Sequence, residues 1–200
     1  MKTIIFTQRV EEVKSYQERR DCADQRIGAM LWACGYLAVP VPNSPDSLEE
    51  AFHKISPEGI LLTGGNSLVR YGGDAPERDQ TDYKLIQLAE KQGLPLMGFC
   101  RGMQSILDYY GNHLENVQGH VATRHRIHGE IGTFEVNSYH NQACKHLEEG
   151  GKLKSLAESA DGVIEAVCHK SLPIVGIMWH PEREAVLAEH DFNNIKRLFQ

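Results

Sequence analysis

The 200-residue chain is 41% hydrophobic and 24% charged, a composition typical of a folded globular protein, which excludes an intrinsically disordered or collagen-like chain. Its 21 Lys and Arg side chains and 27 Asp and Glu side chains give a formal net charge of -6, so the charge balance does not favour binding to nucleic acid or anionic lipid. No run approaches the ~20 apolar residues of a membrane span and none suits a signal peptide, so we expect a single cytoplasmic domain over residues 1–200.

In the first half of the chain, short apolar runs alternate with segments whose apolar residues recur at i, i+3, i+4 and i+7. This alternation predicts β-strand, α-helix, β-strand units around a mostly parallel sheet. The predicted strands cover residues 3–6, 36–41, 59–63 and 94–99, and the predicted helices cover residues 27–34, 48–55, 82–92 and 103–110.

From about residue 118 the pattern moves toward a period of two, which indicates half-buried strands and a more antiparallel second half. Strands are predicted over residues 133–136, 162–167 and 174–179, and a helix over residues 193–199. We therefore predict an α/β fold, a single-domain sandwich with a central, mostly parallel sheet, flanking helices and antiparallel additions in the C-terminal half.

The five cysteines are odd in number and include no Cys-x-x-Cys pair, which argues against a disulfide framework or a thiolate zinc site. Cys100 stands apart, because it lies between a predicted strand and a predicted helix, with Gly98 and Gly102 on either side. This spacing is typical of a sharp turn that exposes a nucleophile. Unpaired amides at the helix N-terminus favour the thiolate form of such a cysteine. Alternatively, Cys100 is a small, inert core residue.

A cysteine nucleophile needs a base, and His180 directly follows a predicted apolar strand. Glu182 lies two residues later, beyond a proline, where its carboxylate can orient one ring nitrogen while the other faces the thiol. The same segment could also be an ordinary turn with a hydrogen-bonded histidine. The glycine-flanked turn at Cys100 favours the catalytic interpretation.

The third component of the predicted site is an oxyanion hole. A Gly-Gly-Asn segment over residues 64–66 ends an earlier strand, and one of its backbone amides could act together with that of Arg101, the residue after the nucleophile. Taken alone, a glycine pair of this kind is a common turn signal. The sequence therefore predicts acyl transfer at Cys100, with the Arg101 amide and an amide of the Gly-Gly-Asn segment as oxyanion donors.

Several segments together resemble class I glutamine amidotransferase-like hydrolases. They are LTGG (62–65), GFCRGMQ (98–104), VNSYHNQ (136–142), DGVIEA (161–166) and WHPE (179–182), and they extend over nearly the whole chain. VNSYHNQ and DGVIEA are more similar to the γ-glutamyl hydrolases of peptidase family C26 than to the glutaminase domains of anthranilate or GMP synthetase. The resemblance implies a flavodoxin-like fold, a Cys100–His180–Glu182 triad and the amides of Gly65 and Arg101 as oxyanion donors. It also implies a γ-glutamyl thioester intermediate and release of L-glutamate.

The resemblance also implies residues that bind the glutamyl part of a small γ-glutamyl amide. Gln104, Ser138, Tyr139 and His140 would hold its α-amino and α-carboxylate groups, and Asn66 is counted with them because it follows the glycine pair. The alternative role of these side chains is helix packing and loop structure.

Four arginines, Arg9, Arg19, Arg20 and Arg26, follow the first strand, whose carboxyl end should border the same pocket as Cys100. Arg19 and Arg20 are therefore candidates for binding a phosphate or carboxylate on the leaving group. This region is similar to small standalone family members from capsule gene clusters, which makes γ-glutamyl-CDP-amidate a candidate substrate beside γ-glutamyl-GABA. The alternative is a solvated, charged helix start whose arginines pair with acidic side chains.

Other reaction classes find little support. Neither a dinucleotide-binding motif nor a P-loop is present, so we expect no cofactor. His120, His125 and His128 are interpreted as residues of a polar loop rather than as a metal site, because no His-Glu-x-x-His motif accompanies them. Two alternatives stay open. The first is a glutaminase subunit that delivers ammonia to a separate synthase partner, because a chain of this length has no room for a synthase domain. The second is a degenerate, non-catalytic binding subunit.

Overall fold

Residues 1–200 are described by a computed structural model with thirteen β-strands and five α-helices. The strands are β1 Thr3–Phe6, β2 Arg9–Val13, β3 Glu18–Cys22, β4 Leu37–Pro40, β5 Gly59–Leu62, β6 Leu96–Phe99, β7 Glu115–Asn116, β8 Val121–Gly129, β9 Gly132–Tyr139, β10 Gln142–Ala143, β11 Leu153–Ser159, β12 Ile164–His169 and β13 Ile174–Ile177. The helices are α1 Gln25–Ala33, α2 Pro45–Ile55, α3 Pro76–Gln92, α4 Arg101–Tyr109 and α5 Glu189–Leu198. None of these helices combines the length and the apolarity that crossing a membrane requires.

Nine strands form one sheet in the order β4-β1-β5-β6-β13-β12-β11-β8-β9. The pairings from β4 to β13 are parallel, and those from β13 to β9 are antiparallel. β5 and β6 are buried along their whole length, as expected for parallel strands that are covered on both faces. The predicted α/β fold, with a parallel sheet and antiparallel additions in the C-terminal half, is confirmed.

Helices cover both faces of this sheet. On one face, α2, α3 and α4 pack Leu48, Leu85 and Ile106 against the strands. On the other face, α1 and α5 contribute Leu31 and Ile195 to a second core cluster. Because the helices occupy the faces, the functional groups gather at the edge where the carboxyl ends of the parallel strands meet.

A β-hairpin that the sequence pattern does not predict follows β1. β2 and β3 pair antiparallel, with Glu11 opposite Arg20 and Glu12 opposite Arg19, so that opposite charges face each other across the ladder. The hairpin is mostly exposed and has few apolar residues, and it therefore lacks the alternation that reveals a half-buried strand. The alternative of a charged helix start holds in part: Arg19 and Arg20 lie on β3 rather than on a helix, whereas Arg26 lies in the first turn of α1, and all three arginines form the expected surface ion pairs.

The loop predicted around the histidines near residue 125 is also wrong. His125 and His128 lie on β8, which pairs with β9. β8 is largely exposed and rich in polar side chains, so its composition is that of a loop.

Two helices begin earlier than predicted. α2 begins at Pro45 and α3 at Pro76, because proline is well suited to the first turn of a helix.

Candidate active site

Cys100 forms the sharp turn between β6 and α4. Its backbone adopts φ 50° and ψ -110°, which is strained for a residue with a β-carbon. Glycines on both sides permit this turn, because a β-carbon at Gly102 would overlap the carbonyl oxygen of Leu62 and one at Gly98 would lie 2.6 Å from the Gly102 carbonyl group. The cysteine consequently sits at the N-terminus of α4, where backbone amides lack partners within the helix.

His180 lies just beyond β13, the strand that pairs with β6. Its Nδ1 atom is 2.7 Å from Oε1 of Glu182, and both side chains are buried. Burial lowers the pKa of His180, but hydrogen bonds to Cys100 and Glu182 outweigh burial and raise the pKa to about 9. A protonated imidazole at this position can give a proton to a leaving group.

The backbone of His180 is held by Asn137, a residue to which the sequence assigns no role. Asn137 Oδ1 accepts a hydrogen bond from the His180 amide at 2.9 Å, and Nδ2 donates to the His180 carbonyl at 2.8 Å. Phe99 and Tyr139 contact the imidazole edge-on, with ring centroids 5.5 and 5.6 Å away. The only sequence signal for Asn137 is its place inside the VNSYHNQ segment.

Gly65 and Arg101, the predicted oxyanion donors, lie on the loops that follow β5 and β6. Gly65 has φ 90°, and its amide donates no hydrogen bond within the protein. Arg101 is the first residue of α4, so its amide is among those that a helix leaves free. The Arg101 side chain points into the interior, where it forms ion pairs with Asp79 and Asp82. Arg101 is therefore available to the site only through its backbone.

The side chains predicted to bind the glutamyl group differ in their availability. Tyr139 is 42% exposed beside His180. Ser138 and Gln104 are buried and donate to backbone carbonyls at 2.7 and 2.8 Å. Asn66 uses its amide group to pair with the backbone of β2 at 2.8 and 3.0 Å. Of these four, Tyr139 is the side chain that is open to a ligand.

A cavity of about 150 Å³ adjoins His180 and is bordered by Arg9 and Arg183. Arg19 and Arg20, which the sequence suggests for the leaving group, do not line this cavity. Each pairs with a surface glutamate at 2.5 Å, as Arg9 does with Glu11, so the position relative to the cavity is what separates them from Arg9. The hairpin β2–β3 accounts for this difference, because it directs Arg9 to the cavity and carries the other two arginines away.

Three imidazoles surround the buried carboxylate of Glu165. Its Oε1 atom lies 3.0 Å from His125, 3.3 Å from His120 and 3.5 Å from His140. His128 is exposed on β8 and takes no part. The ligand atoms of His120, His140 and Glu165 lie within 4.8 Å of one another, so these residues could hold a metal ion. His140, which the resemblance suggests for the glutamyl group, belongs to this buried cluster.

Comparison with known proteins connects this geometry to one family. The sequence profile of the class I glutamine amidotransferases matches residues 21–198. The γ-glutamyl-CDP-amidate hydrolase of Campylobacter jejuni is 32% identical over 196 residues, which cover 96% of this chain and 94% of the relative. The γ-glutamyl-γ-aminobutyrate hydrolase of Escherichia coli K12 is 28% identical over 201 residues, or 80% of this chain and 77% of the relative.

Solved structures agree on the fold. A Thermoplasma acidophilum protein that is assigned to the GMP synthases has a TM-score of 0.74 at 20% identity, and the match covers 100% of this chain and 94% of that protein. A glutamine amidotransferase from Thermotoga maritima has a TM-score of 0.66 at 15% identity, with coverage of 90% and 76%. At these identities, the likeness concerns the arrangement of strands and helices alone.

Proposed function

The chain belongs to the class I glutamine amidotransferase family, and from that premise we propose that it is a γ-glutamyl hydrolase, which cleaves the C–N bond of a γ-glutamyl amide and releases L-glutamate. The observation that carries the proposal is the placement of Cys100 at the start of α4 beside His180, whose Nδ1 lies 2.7 Å from Oε1 of Glu182. A thiol at a helix N-terminus, an adjacent imidazole and a carboxylate that orients it are the components of thiol-based acyl transfer. Two relatives that share most of the chain are γ-glutamyl amide hydrolases by name.

Acylation begins with the thiolate of Cys100, which attacks the γ-carbonyl carbon and forms a C–S bond while the carbonyl π electrons move onto oxygen. The amides of Gly65 and Arg101 donate hydrogen bonds to that oxyanion. When the carbonyl re-forms, the C–N bond breaks, and the His180 imidazolium gives its Nε2 proton to the leaving nitrogen. This half-reaction yields a γ-glutamyl thioester and the free leaving group.

Deacylation uses the same groups with water as the nucleophile. Neutral His180 accepts a proton from the water as its oxygen attacks the thioester carbonyl carbon. The C–S bond then breaks, which restores the thiolate of Cys100 and releases glutamate. Glu182 holds Nδ1–H of His180 in a hydrogen bond during both steps, so Nε2 is the nitrogen that exchanges protons.

Arg9 and Arg183 favour an anionic leaving group. Both border the cavity beside His180, where Asp24 and Glu182 also lie, and the Arg183 guanidinium lies 4.3 Å from the ring centroid of Tyr139. Arg9 pairs with Glu11 at 2.5 Å, a contact that an anionic leaving group would replace. Guanidinium groups bind phosphate and carboxylate oxygens through paired N–H donors. The candidate substrates are therefore γ-glutamyl-CDP-amidate, whose leaving group carries phosphates, and γ-glutamyl-GABA, whose leaving group carries a carboxylate.

Glutamate release from a panel of γ-glutamyl compounds tests this proposal. The panel contains γ-glutamyl-CDP-amidate, γ-glutamyl-GABA, folate polyglutamate and glutamine. We expect the nucleotide-linked amide to have the highest kcat/KM, and Arg9→Ala and Arg183→Ala to raise its KM more than that of an amide with an uncharged leaving group. Arg20→Ala tests whether Arg9 and Arg183 or the sequence-predicted Arg19 and Arg20 bind the leaving group. Because Arg20 lies outside the cavity, its substitution should leave KM unchanged.

Two outcomes would replace the proposal. Inactivity of the wild-type chain on every compound would overturn the hydrolase assignment. Cleavage of glutamine alone, at a rate that rises when a synthase is added, would assign the chain to the glutaminase subunits instead.

A further inference from the structure

Arg78, on the first turn of α3, is a fully buried arginine whose guanidinium faces the glycine loop after β5. It donates hydrogen bonds to three successive carbonyl oxygens, those of Thr63 at 2.8 Å, Gly64 at 3.0 Å and Gly65 at 2.6 Å. Arginine is almost never fully buried without partners, and here the guanidinium also donates to Oγ1 of Thr63 and Oδ1 of Asn66 in the same loop, both at 3.2 Å. The guanidinium therefore fixes the conformation of this loop.

The direction of these carbonyls decides where the loop amides point. In a trans peptide unit, the C=O of one residue and the N–H of the next point in opposite directions. Because the Gly64 carbonyl is turned toward Arg78, the Gly65 amide is turned away from it. That amide has no acceptor within the protein. The opposite side of the loop borders the reacting groups, since a β-carbon on Gly64 would lie 2.7 Å from the imidazole of His180.

Helix α3 also holds the second oxyanion donor. Asp79 and Asp82, on the same helix, form ion pairs with the buried guanidinium of Arg101. Asp82 in addition accepts a hydrogen bond from Ser105 of α4 at 2.8 Å. One helix thus carries the anchors for the loop after β5 and for the start of α4.

We propose that Arg78 is the positioning residue of the oxyanion hole. It holds the carbonyls of Thr63, Gly64 and Gly65 away from Cys100, so that the Gly65 amide faces the oxygen that becomes negative during acylation. This inference rests on the proposed thiol hydrolase function and adds a residue that does not itself touch the substrate.

Arginine is suited to this role in a way that lysine is not. A planar guanidinium presents five N–H donors in a fixed fork, and an ammonium group presents three donors at one point. Arg78→Lys therefore keeps the charge but cannot reach three carbonyls in the same geometry. Loss of one oxyanion donor costs about 10²–10³-fold in kcat. We expect Arg78→Lys and Arg78→Gln to lower kcat by at least tenfold, with little change in KM.

The experiment compares two reactions of Cys100. Acylation by p-nitrophenyl acetate passes through an oxyanion and needs no γ-glutamyl recognition, whereas alkylation by iodoacetamide forms no oxyanion. We expect both Arg78 variants to slow acylation and to leave the alkylation rate near that of the wild type. Arg70→Lys is the matched control, because Arg70 is an exposed arginine that pairs with Asp108, and it should slow neither reaction.

Chemical rescue distinguishes a lost guanidinium group from a general packing defect. Added guanidinium, at concentrations that do not unfold the protein, should restore part of the acylation rate of Arg78→Ala. The positioning role would be overturned if Arg78→Lys and Arg78→Gln were acylated at the wild-type rate. It would also be overturned if their acylation and alkylation rates fell equally and guanidinium did not rescue Arg78→Ala. Inactivity of the wild type on γ-glutamyl amides would overturn the proposed function instead, since the p-nitrophenyl acetate comparison does not depend on it.

Discussion

The proton affinity of His180 is the residue-scale property on which the proposed chemistry depends most. Burial lowers its pKa, and hydrogen bonds to Cys100 and Glu182 raise it to about 9. An imidazolium is needed to protonate the leaving nitrogen, so kcat/KM of the free enzyme should fall as the pH rises through about 9.

Removing the carboxylate that raises this pKa should move the alkaline limb of the pH profile. Glu182→Gln lowers the pKa of His180, because the neutral amide stabilises the imidazolium less, and we expect the limb at a lower pH together with a reduced kcat. The measurement is kcat/KM against pH for the wild type, Glu182→Gln and the surface control Glu77→Gln. An unchanged limb in Glu182→Gln would show that this carboxylate does not control the imidazole.

The same pKa shift affects stability with a defined sign. The pKa of His180 is about 9 in the folded protein, above its ordinary value of 6.5. Protonation of His180 therefore stabilises the fold fully below about pH 6.5, and this contribution is lost as the pH rises through about 9. Denaturant unfolding at pH 6.5 and pH 9 should show a smaller loss of stability in His180→Gln than in the wild type.

Asn137 is the residue whose removal should disturb the histidine without touching its ring. Asn137→Ala leaves the buried amide of His180 without a partner, which costs about 1–3 kcal/mol of stability, while the His180 carbonyl keeps its hydrogen bond from the Arg183 amide at 3.1 Å. Displacement of a catalytic group by about 1 Å costs about 100-fold in rate. We expect kcat to fall by that order, whereas Asn141→Ala, at an exposed position of the same segment, leaves kcat unchanged. A wild-type kcat in Asn137→Ala would contradict the role of Asn137 in holding the backbone of His180.

At the scale of elements, the turn between β6 and α4 depends on the absence of side chains. Gly102→Ala adds a methyl group against the backbone carbonyl of Leu62, which cannot move without shifting β5. We expect a clear loss of thermal stability and of activity. Gly28→Ala is the matched control within α1, where nothing lies within 4 Å, and it should stabilise the protein by about 0.5–1 kcal/mol. Equal melting temperatures for the two variants would contradict this account of the turn.

Elements were predictable from the sequence where burial imposes a hydrophobic pattern. β5 and β6 are buried on both faces and read as continuous apolar runs. The sequence did not reveal the exposed strands β2, β3 and β8. Backbone hydrogen bonds and charge pairs hold such strands, so their sequences show little alternation of apolar and polar residues. The missed hairpin also explains why Arg9, rather than Arg19 or Arg20, borders the cavity.

At the scale of the whole molecule, the triad residues meet because distant strands are neighbours in the sheet. β13 pairs in parallel with β6, with Ile177 opposite Phe99, so that the segments after the two strands leave the sheet at the same edge. The spacing of Cys100 and His180 along the chain does not reveal this pairing. The position of each residue at the end of a predicted strand suggested their association, and the family resemblance implied the triad. The roles proposed for Arg78 and Asn137 depend on contacts between separate elements that no local pattern encodes.

The central claim, that Cys100 carries the glutamyl group during hydrolysis, is tested most directly by peptide mass mapping of enzyme that is acid-quenched during turnover of a γ-glutamyl amide. We predict a glutamyl thioester on the peptide that contains Cys100, and neither adduct nor glutamate release in folded Cys100→Ala. Glutamate release by Cys100→Ala at the wild-type rate, or a glutamyl adduct on a different residue, would contradict it.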